Sequence, residues 1–191
     1  MRFTGINHLA MATADLEATI RFWRDLLGMR LVAGLGREGY RHYFLEISET
    51  DMIAFFEWPD VTAIEAKDHG MPVKGPLAFD HVSIGVAERA DLWALKDTLE
   101  AAGFWASEVI DHGFILSLYS FDPNNIAIEF SWPQPGLDLR RKPRMADKHR
   151  PPVGLEGSEP QPGHWPEVES PTQPKDCKAY PGEGRELLDK V

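Results

Sequence analysis

Three side chains in this sequence have the types and the placement to hold a metal ion: His8, His81 and Glu129. His81 stands in the stretch "FDHVSIGV" (79–86), which reads as a half-buried strand. Side chains on a strand alternate between faces. Val82, Ile84 and Val86 make one apolar face, and His81, Ser83 and Gly85 make the other, an imidazole followed by small residues. "HLAMAT" repeats the pattern, with Leu9 and Met11 on one face and His8, Ala10 and Ala12 on the other. In "NNIAIEFSW" (124–132), Ile126, Ile128 and Phe130 share a face, while Glu129 lies between Ala127 and Ser131 on the opposite one. A carboxylate in mid-strand is costly to bury unless a partner compensates its charge. A divalent cation is such a partner. Two histidines and one carboxylate grip a metal from one side and leave other positions for substrate and for oxygen or water.

The elements that must position these residues come as a repeat. After His8 the chain reads "ADLEATIRFWRDLLGM"; after His81 it reads "ADLWALKDTLEAAGF". In each, Asp15 or Asp91 can cap a helix start, and Gly28 or Gly103 can end it. Ile20, Trp23 and Leu27, and then Leu92, Leu95 and Leu99, recur at helical spacing and predict a helix packed on a sheet. Three apolar runs of strand length follow each helix. The first set is "MRLVAGLG", "YRHYFLEIS" and "MIAFFEWP"; the second is "FWASEVI", "GFILSLYSF" and "IAIEFSWP". The unit is β-α-β-β-β, once over 4–60 and again over 78–133, joined by a polar linker at 61–77. The fold class is α+β.

Composition narrows the function. With 191 residues, 43% of them hydrophobic, the chain can bury a sizeable core. A net charge of −10 argues against nucleic acid or an anionic membrane as partner. No run is long and apolar enough to span a bilayer, and the N-terminus has no secretory apolar region. Cys177 is the single cysteine, so no intrachain disulfide forms. A cytoplasmic protein is expected.

"GLGREG" (34–39) fits G-x-G-x-x-G, but a strand follows it where a dinucleotide site needs a helix. It reads as a glycine-rich hairpin turn. The tail, 134–191, holds ten of the fifteen prolines and little periodicity, which predicts extended, polyproline-like or disordered chain. Its basic run "RRKPRMADKHR" (140–150) reads as a solvated segment rather than a nucleic-acid contact.

The tandem β-α-β-β-β units with His8, His81 and Glu129 resemble the vicinal oxygen chelate superfamily. It includes glyoxalase I, fosfomycin and bleomycin resistance proteins, methylmalonyl-CoA epimerase and type I extradiol dioxygenases. The likeness covers about residues 4–133, and "TGINHLAMATADLEATIRFWRDLLGMRL" is close to the fosfomycin-type start. The resemblance implies two modules, paired within one chain or between two, whose sheets curl round a metal held by His8, His81 and Glu129. It also implies a small substrate that chelates through adjacent oxygens, and a homodimer with the tail packed on its own domain or on the partner subunit.

Within the superfamily, "DHGFILSLYSFDPNNIAIE" (111–129) resembles the extradiol dioxygenase signature, which falls here on His112, Leu118, Tyr119, Asp122, Pro123 and Glu129. In such enzymes the tyrosine hydrogen-bonds a substrate oxygen, and the histidine assists oxygen activation and proton transfer. Tyr119 and His112 are therefore the implied catalytic pair, and Fe(II) the implied metal. Departures are Val109 for a glycine, Asn125 for a glycine or proline, and the lack of a further catalytic histidine that ring-cleaving relatives carry near the end of the preceding module. There, Glu57 stands instead. Glyoxalase I has a glutamate fourth ligand on that strand, so Glu57 opens a lyase or isomerase alternative with Zn, Mn or Ni. Aligning "IAFFEWP" with "IAIEFSWP" puts Phe56 or Phe55, not Glu57, opposite Glu129. A metal-free binding protein of the bleomycin-resistance kind is the third reading.

Overall fold

Each module begins with a strand and a helix and returns through three antiparallel strands. In the computed structural model, which describes residues 4–75, 79–161, 163, 165–182 and 184–188, the first module consists of β1 (His8–Thr13), α1 (Leu16–Ile20), β2 (Arg30–Arg37), β3 (Tyr40–Glu46) and β4 (Met52–Glu57). The helix α1 runs on into a π-helical stretch, Arg21–Leu26. The second module consists of β5 (Val82–Gly85), α2 (Asp91–Ala101), β6 (Ile110–Asp111), β7 (Ile115–Phe121) and β8 (Ala127–Pro133). They form two four-stranded sheets, ordered β1-β4-β3-β2 and β5-β8-β7-β6. The first strand of each module pairs in parallel with its last. A parallel pair needs a crossover, and the helix supplies it.

Local chemistry sets the helix ends. Asp15 caps α1, its carboxylate accepting from Ala18 N at 2.9 Å. The expected cap at Asp91 is not formed: Ala90 holds the cap position, and Asp91 is the first helical residue, accepting from Glu88 N at 2.8 Å. A carboxylate in the first turn still favours the positive end of the helix dipole. Gly28 and Gly103 both take positive φ, 78° and 83°, as the residues after a helix. Behind them Met29 N reaches Trp23 O and Phe104 N reaches Leu99 O, closing the carbonyl ends. The "GLGREG" stretch is the β2–β3 hairpin, with Arg37 paired to Tyr40. Gly34 lies against the Tyr43 ring, where a Cβ would come within 2.9 Å.

The first of the three strand-length runs after the second helix contracts. "FWASEVI" keeps only Ile110–Asp111 and an isolated Ala106–Ser120 bridge, with Trp105 and Ile110 exposed. His81 falls one residue before β5.

One core serves both modules. Trp23, Phe22, Leu45, Ile53 and Phe55 from the first join Leu92, Leu99, Leu118, Ile128 and Phe130 from the second. The β7–β8 turn fastens the two together. Asp122 accepts from Asn124 N and Ile126 N, and Asn125 closes the turn at φ 62°. The Asn124 side-chain oxygen accepts from Thr13 Oγ1 at 3.0 Å and Ala14 N at 2.9 Å, and its amide donates to Thr19 Oγ1 at 3.0 Å. Trp23 Nε1 donates to Asp122 Oδ2 at 3.4 Å. All of these side chains are buried.

Residues Met1–Gln134 and Pro135–Val191 form separate compact units. The second carries short 3₁₀ turns at Pro152–Leu155, Pro174–Asp176 and Arg185–Leu188, with no strand or α-helix among its described residues. Trp165 and Tyr180 are exposed on it. Among the described residues no helix is long and apolar enough to cross a membrane.

Candidate metal centre

On the second sheet the strand register brings Ser83, Glu129 and Tyr119 side by side, on the face opposite Ile84, Phe130 and Leu118. Glu129 is 4% exposed. Burial alone would raise its carboxyl. The hydroxyls of Ser117 and Ser83 and the charge of His81 outweigh burial and hold it below the ordinary glutamate value. Ser117 Oγ donates to Glu129 Oε1 in a short hydrogen bond. Ser117 and Ser83 on this face thus help keep the carboxylate ionised.

His81 meets this carboxylate, with Nε2 lying 3.2 Å from Glu129 Oε2. Its other nitrogen, Nδ1, donates to Asp80 Oδ1 at 2.6 Å. Two atoms that bear lone pairs repel at 3.2 Å, and a proton or a cation between them relieves the repulsion. A histidine that gives one N–H to a carboxylate and turns the other nitrogen toward a second carboxylate has the arrangement of a metal ligand. On that chemistry the residues present fit a divalent cation.

Tyr119 and His112 belong to the same face. Tyr119 OH and His112 Nε2 share a hydrogen bond of 2.9 Å, and the Tyr119 ring meets His81 edge-on at 6.1 Å. Burial, and then the charge of Glu129, push the Tyr119 phenol up, so at neutral pH it keeps its proton.

A third histidine stands here that the strand-based reading passed over. His69, from the linker, packs against Tyr119 at 4.7 Å, Phe121 at 5.0 Å and His81 at 5.8 Å. Its Nε2 donates to Ile128 O at 3.0 Å. A carbonyl only accepts, so Nε2 carries the hydrogen, and in the neutral ring Nδ1 is the free base. Burial lowers the pKa of His69, with the neighbouring His81 adding to the effect.

His8 is not in this group. It is exposed, bonded through Nδ1 to Asn7 at 2.9 Å and set edge-on to Phe44 at 5.4 Å. Among the described residues, no three His, Cys, Asp or Glu side chains come together as a metal-holding group within one chain. Expected convergence of all three ligands is therefore absent inside the single chain. The face of the first sheet that carries His8 also holds Ala10, Ala12, Ala54, Phe44 and Phe56 by register, with His42 stacked on Phe56 and Glu46 opposite Met52.

Glu57 is turned to the opposite face. It pairs with Thr13, accepts from Leu16 N at 2.9 Å and is bridged by Arg41. The register also corrects both alignments of the repeat. Ser83 faces Glu129, and the matching residue Ala10 faces Ala54. Ala54, two residues before Phe56 and on the same face, holds the place of Glu129 in the first module.

A family model for the "Glyoxalase/Bleomycin resistance protein/Dioxygenase superfamily" matches residues 5–130. The chain belongs to this superfamily. Within the superfamily, it is 26% identical over 130 residues to the lactoylglutathione lyase of Haemophilus influenzae, covering 65% of this chain and 90% of that one. It is 28% identical over 126 residues to the glutathione transferase FosA of Serratia marcescens, covering 65% and 77%. Among solved structures, a glyoxylase/bleomycin resistance protein/dioxygenase domain from Frankia sp. superposes with a TM-score of 0.59 at 20% identity, over 70% of this chain and all of that one. The fosfomycin resistance protein FosX of Listeria monocytogenes gives 0.52 at 13%, over 70% and 96%. These structures share the superfamily fold.

Proposed function

We propose that the chain is a metal-dependent enzyme acting on a small substrate that chelates through vicinal oxygens. His81 and Glu129 of one copy and His8 of a second copy hold the cation. The observation that carries this is the Asp80–His81–Glu129 alignment, a ligand pair already oriented and missing one partner. His8 stands exposed on a face where Ala54, and no carboxylate, holds the place of Glu129. Two copies that apply this face to the polar face of each other's second sheet complete two equivalent sites.

Extradiol-type oxygen chemistry on catechol-like substrates, with Fe(II), is the finer reading. Bound there, iron(II) would supply electron transfer between a chelated substrate and O₂. The chain's own groups serve the protons. Tyr119 keeps its hydrogen and donates it to a substrate oxygen. His69 offers Nδ1 as a base for a substrate hydroxyl, and His112 exchanges a proton with Tyr119 across their 2.9 Å bond. The lyase reading has the Haemophilus relative in its favour and the orientation of Glu57 against it.

Metal analysis of anaerobically purified protein, followed by O₂ uptake with catechols, tests the proposal. Bound iron and oxygen consumption are expected. Bound zinc or nickel with isomerisation of a thiohemiacetal, and no oxygen uptake, would replace oxygen chemistry with the lyase reading. No divalent metal at all would overturn the enzyme reading.

A further inference from the structure

The linker between the modules is held against the second one at several points. Ile64 N donates to Asn124 O at 3.2 Å, and Asn125 Nδ2 donates to Ile64 O at 2.7 Å. His69 follows on Ile128 O. At the end of this track two linker groups converge on one carboxylate. Lys67 Nζ donates to Asp80 Oδ2 at 2.6 Å and Gly70 N donates to Asp80 Oδ1 at 3.0 Å. Lys67 also donates to Asp68 O at 3.0 Å, so its ammonium ties the linker turn to the head of β5.

We infer that Asp80, gripped by Lys67 and Gly70, is a positioning residue that sets both the direction and the tautomer of His81. This rests on the reading of His81 as a ligand, and it adds the residues that make it one. Asp80 and Lys67 are partly exposed, and ion pairs in such settings contribute little stability. The pair is better explained by what it orients. Two ionised carboxylates face a neutral His81 and the nearer one takes its hydrogen: Nδ1 lies 2.6 Å from Asp80 Oδ1, against 3.2 Å from Nε2 to Glu129 Oε2, so the hydrogen sits on Nδ1. Nε2 is then left with its lone pair, 3.2 Å from Glu129 Oε2, where a cation can take both. A histidine without such a partner favours the hydrogen on Nε2, which would point at the cation and block it. A carboxylate that fixes the tautomer of a working imidazole is a recurrent device.

Gly70 and Lys67 matter because Asp80 adjoins His81 in sequence, and a short side chain has several rotamers. Donors on both of its oxygens hold one. Lys67 and Gly70 of the linker are in this respect part of the site.

The test uses the full chain, free of metal, with ¹⁵N-labelled histidine. Long-range ¹H–¹⁵N spectra at about pH 9, above the ordinary imidazole range near 6.5, report which nitrogen of His81 carries the hydrogen. Wild type is expected as Nδ1–H and Asp80→Ala as Nε2–H. Asp80→Asn, whose amide oxygen still accepts, should retain Nδ1–H. Lys67→Met should give a mixture of the two tautomers. A backbone ¹H–¹⁵N spectrum unchanged outside residues 64–83 shows that each variant folds. If His81 in folded Asp80→Ala stays Nδ1–H, or wild type is Nε2–H, the inference is overturned. A second readout is Zn²⁺ affinity by chelator competition. Asp80→Ala should lose about 10- to 100-fold, the usual loss when such a partner is removed, and Asp80→Asn much less; equal affinity in all three would also overturn it. A wild type that binds no divalent cation yet shows the tautomer change would sink the metal reading above and leave the positioning role of Asp80 standing.

Discussion

Tyr119 and His112 touch each other and Tyr119 lies beside Glu129, and on the proposed function their loss should slow chemistry without releasing metal. Removing one positioned acid or base costs on the order of 10² to 10⁴ in rate. Tyr119→Phe and His112→Ala are therefore expected to keep wild-type iron content and to lose about that much in O₂ uptake with catechols. Variants that keep full rate would remove both residues from the mechanism. His69→Ala should fall by a similar factor above the pKa of the wild-type ring, and the deficit should vanish as pH falls through that pKa, which burial sets below the ordinary imidazole value. A pH-independent deficit would point to packing instead. His81, Glu129 and Tyr119 were legible in the sequence because strand alternation puts a costly carboxylate and two rings among small residues. His69 was not, since a polar linker has no period from which to read where a side chain goes.

The β7–β8 turn is the element that joins the modules, and its residues separate structural from chemical roles. Asp122, Pro123 and Asn125 stand in a stretch that resembles an enzyme signature, yet Asp122 and Asn124 make the contacts of a turn and a module joint. Asn124→Ala leaves Thr13, Ala14 and Thr19 short of partners, at about 1–3 kcal/mol for each buried group left unpaired. Urea unfolding should show a lower midpoint with an unchanged slope; a midpoint equal to wild type would deny the joint. Asp122 carries a pH signature of the opposite sign to most carboxylates. Burial raises its folded pKa above the unfolded value of about 3.9. Its ionised form therefore costs stability at all pH above the folded value, and that cost is relieved as pH falls through it. Relative to Asp122→Asn, wild type should gain stability on acidification from pH 7, and a wild type that loses ground instead would contradict this. The repeat, the helices and the hairpin were readable from turn residues and spacing. The contraction of β6 was not, because "FWASEVI" has strand-like residues but meets β7 only near its two ends and leaves Trp105 exposed. The place of Ala54 was hidden too, since matching short apolar words cannot resolve a shift of two residues that preserves the face.

At the scale of the whole molecule, the proposed sharing of ligands requires a second copy. Sequence matching proposes the three ligands as a set but carries no information on which chain would supply each, because a repeat pairs as well between chains as within one. Mixing decides it. His8→Ala and Glu129→Ala, each purified alone, should bind little metal. Unfolded together, refolded as a 1:1 mixture and loaded with Fe(II), half of the dimers would be mixed, each with one intact site made of His8 from one chain and His81 with Glu129 from the other. The mixture should then recover about a quarter of the wild-type metal content, with O₂ uptake in proportion. A mixture that binds no more metal than the separate variants would contradict a site shared between copies.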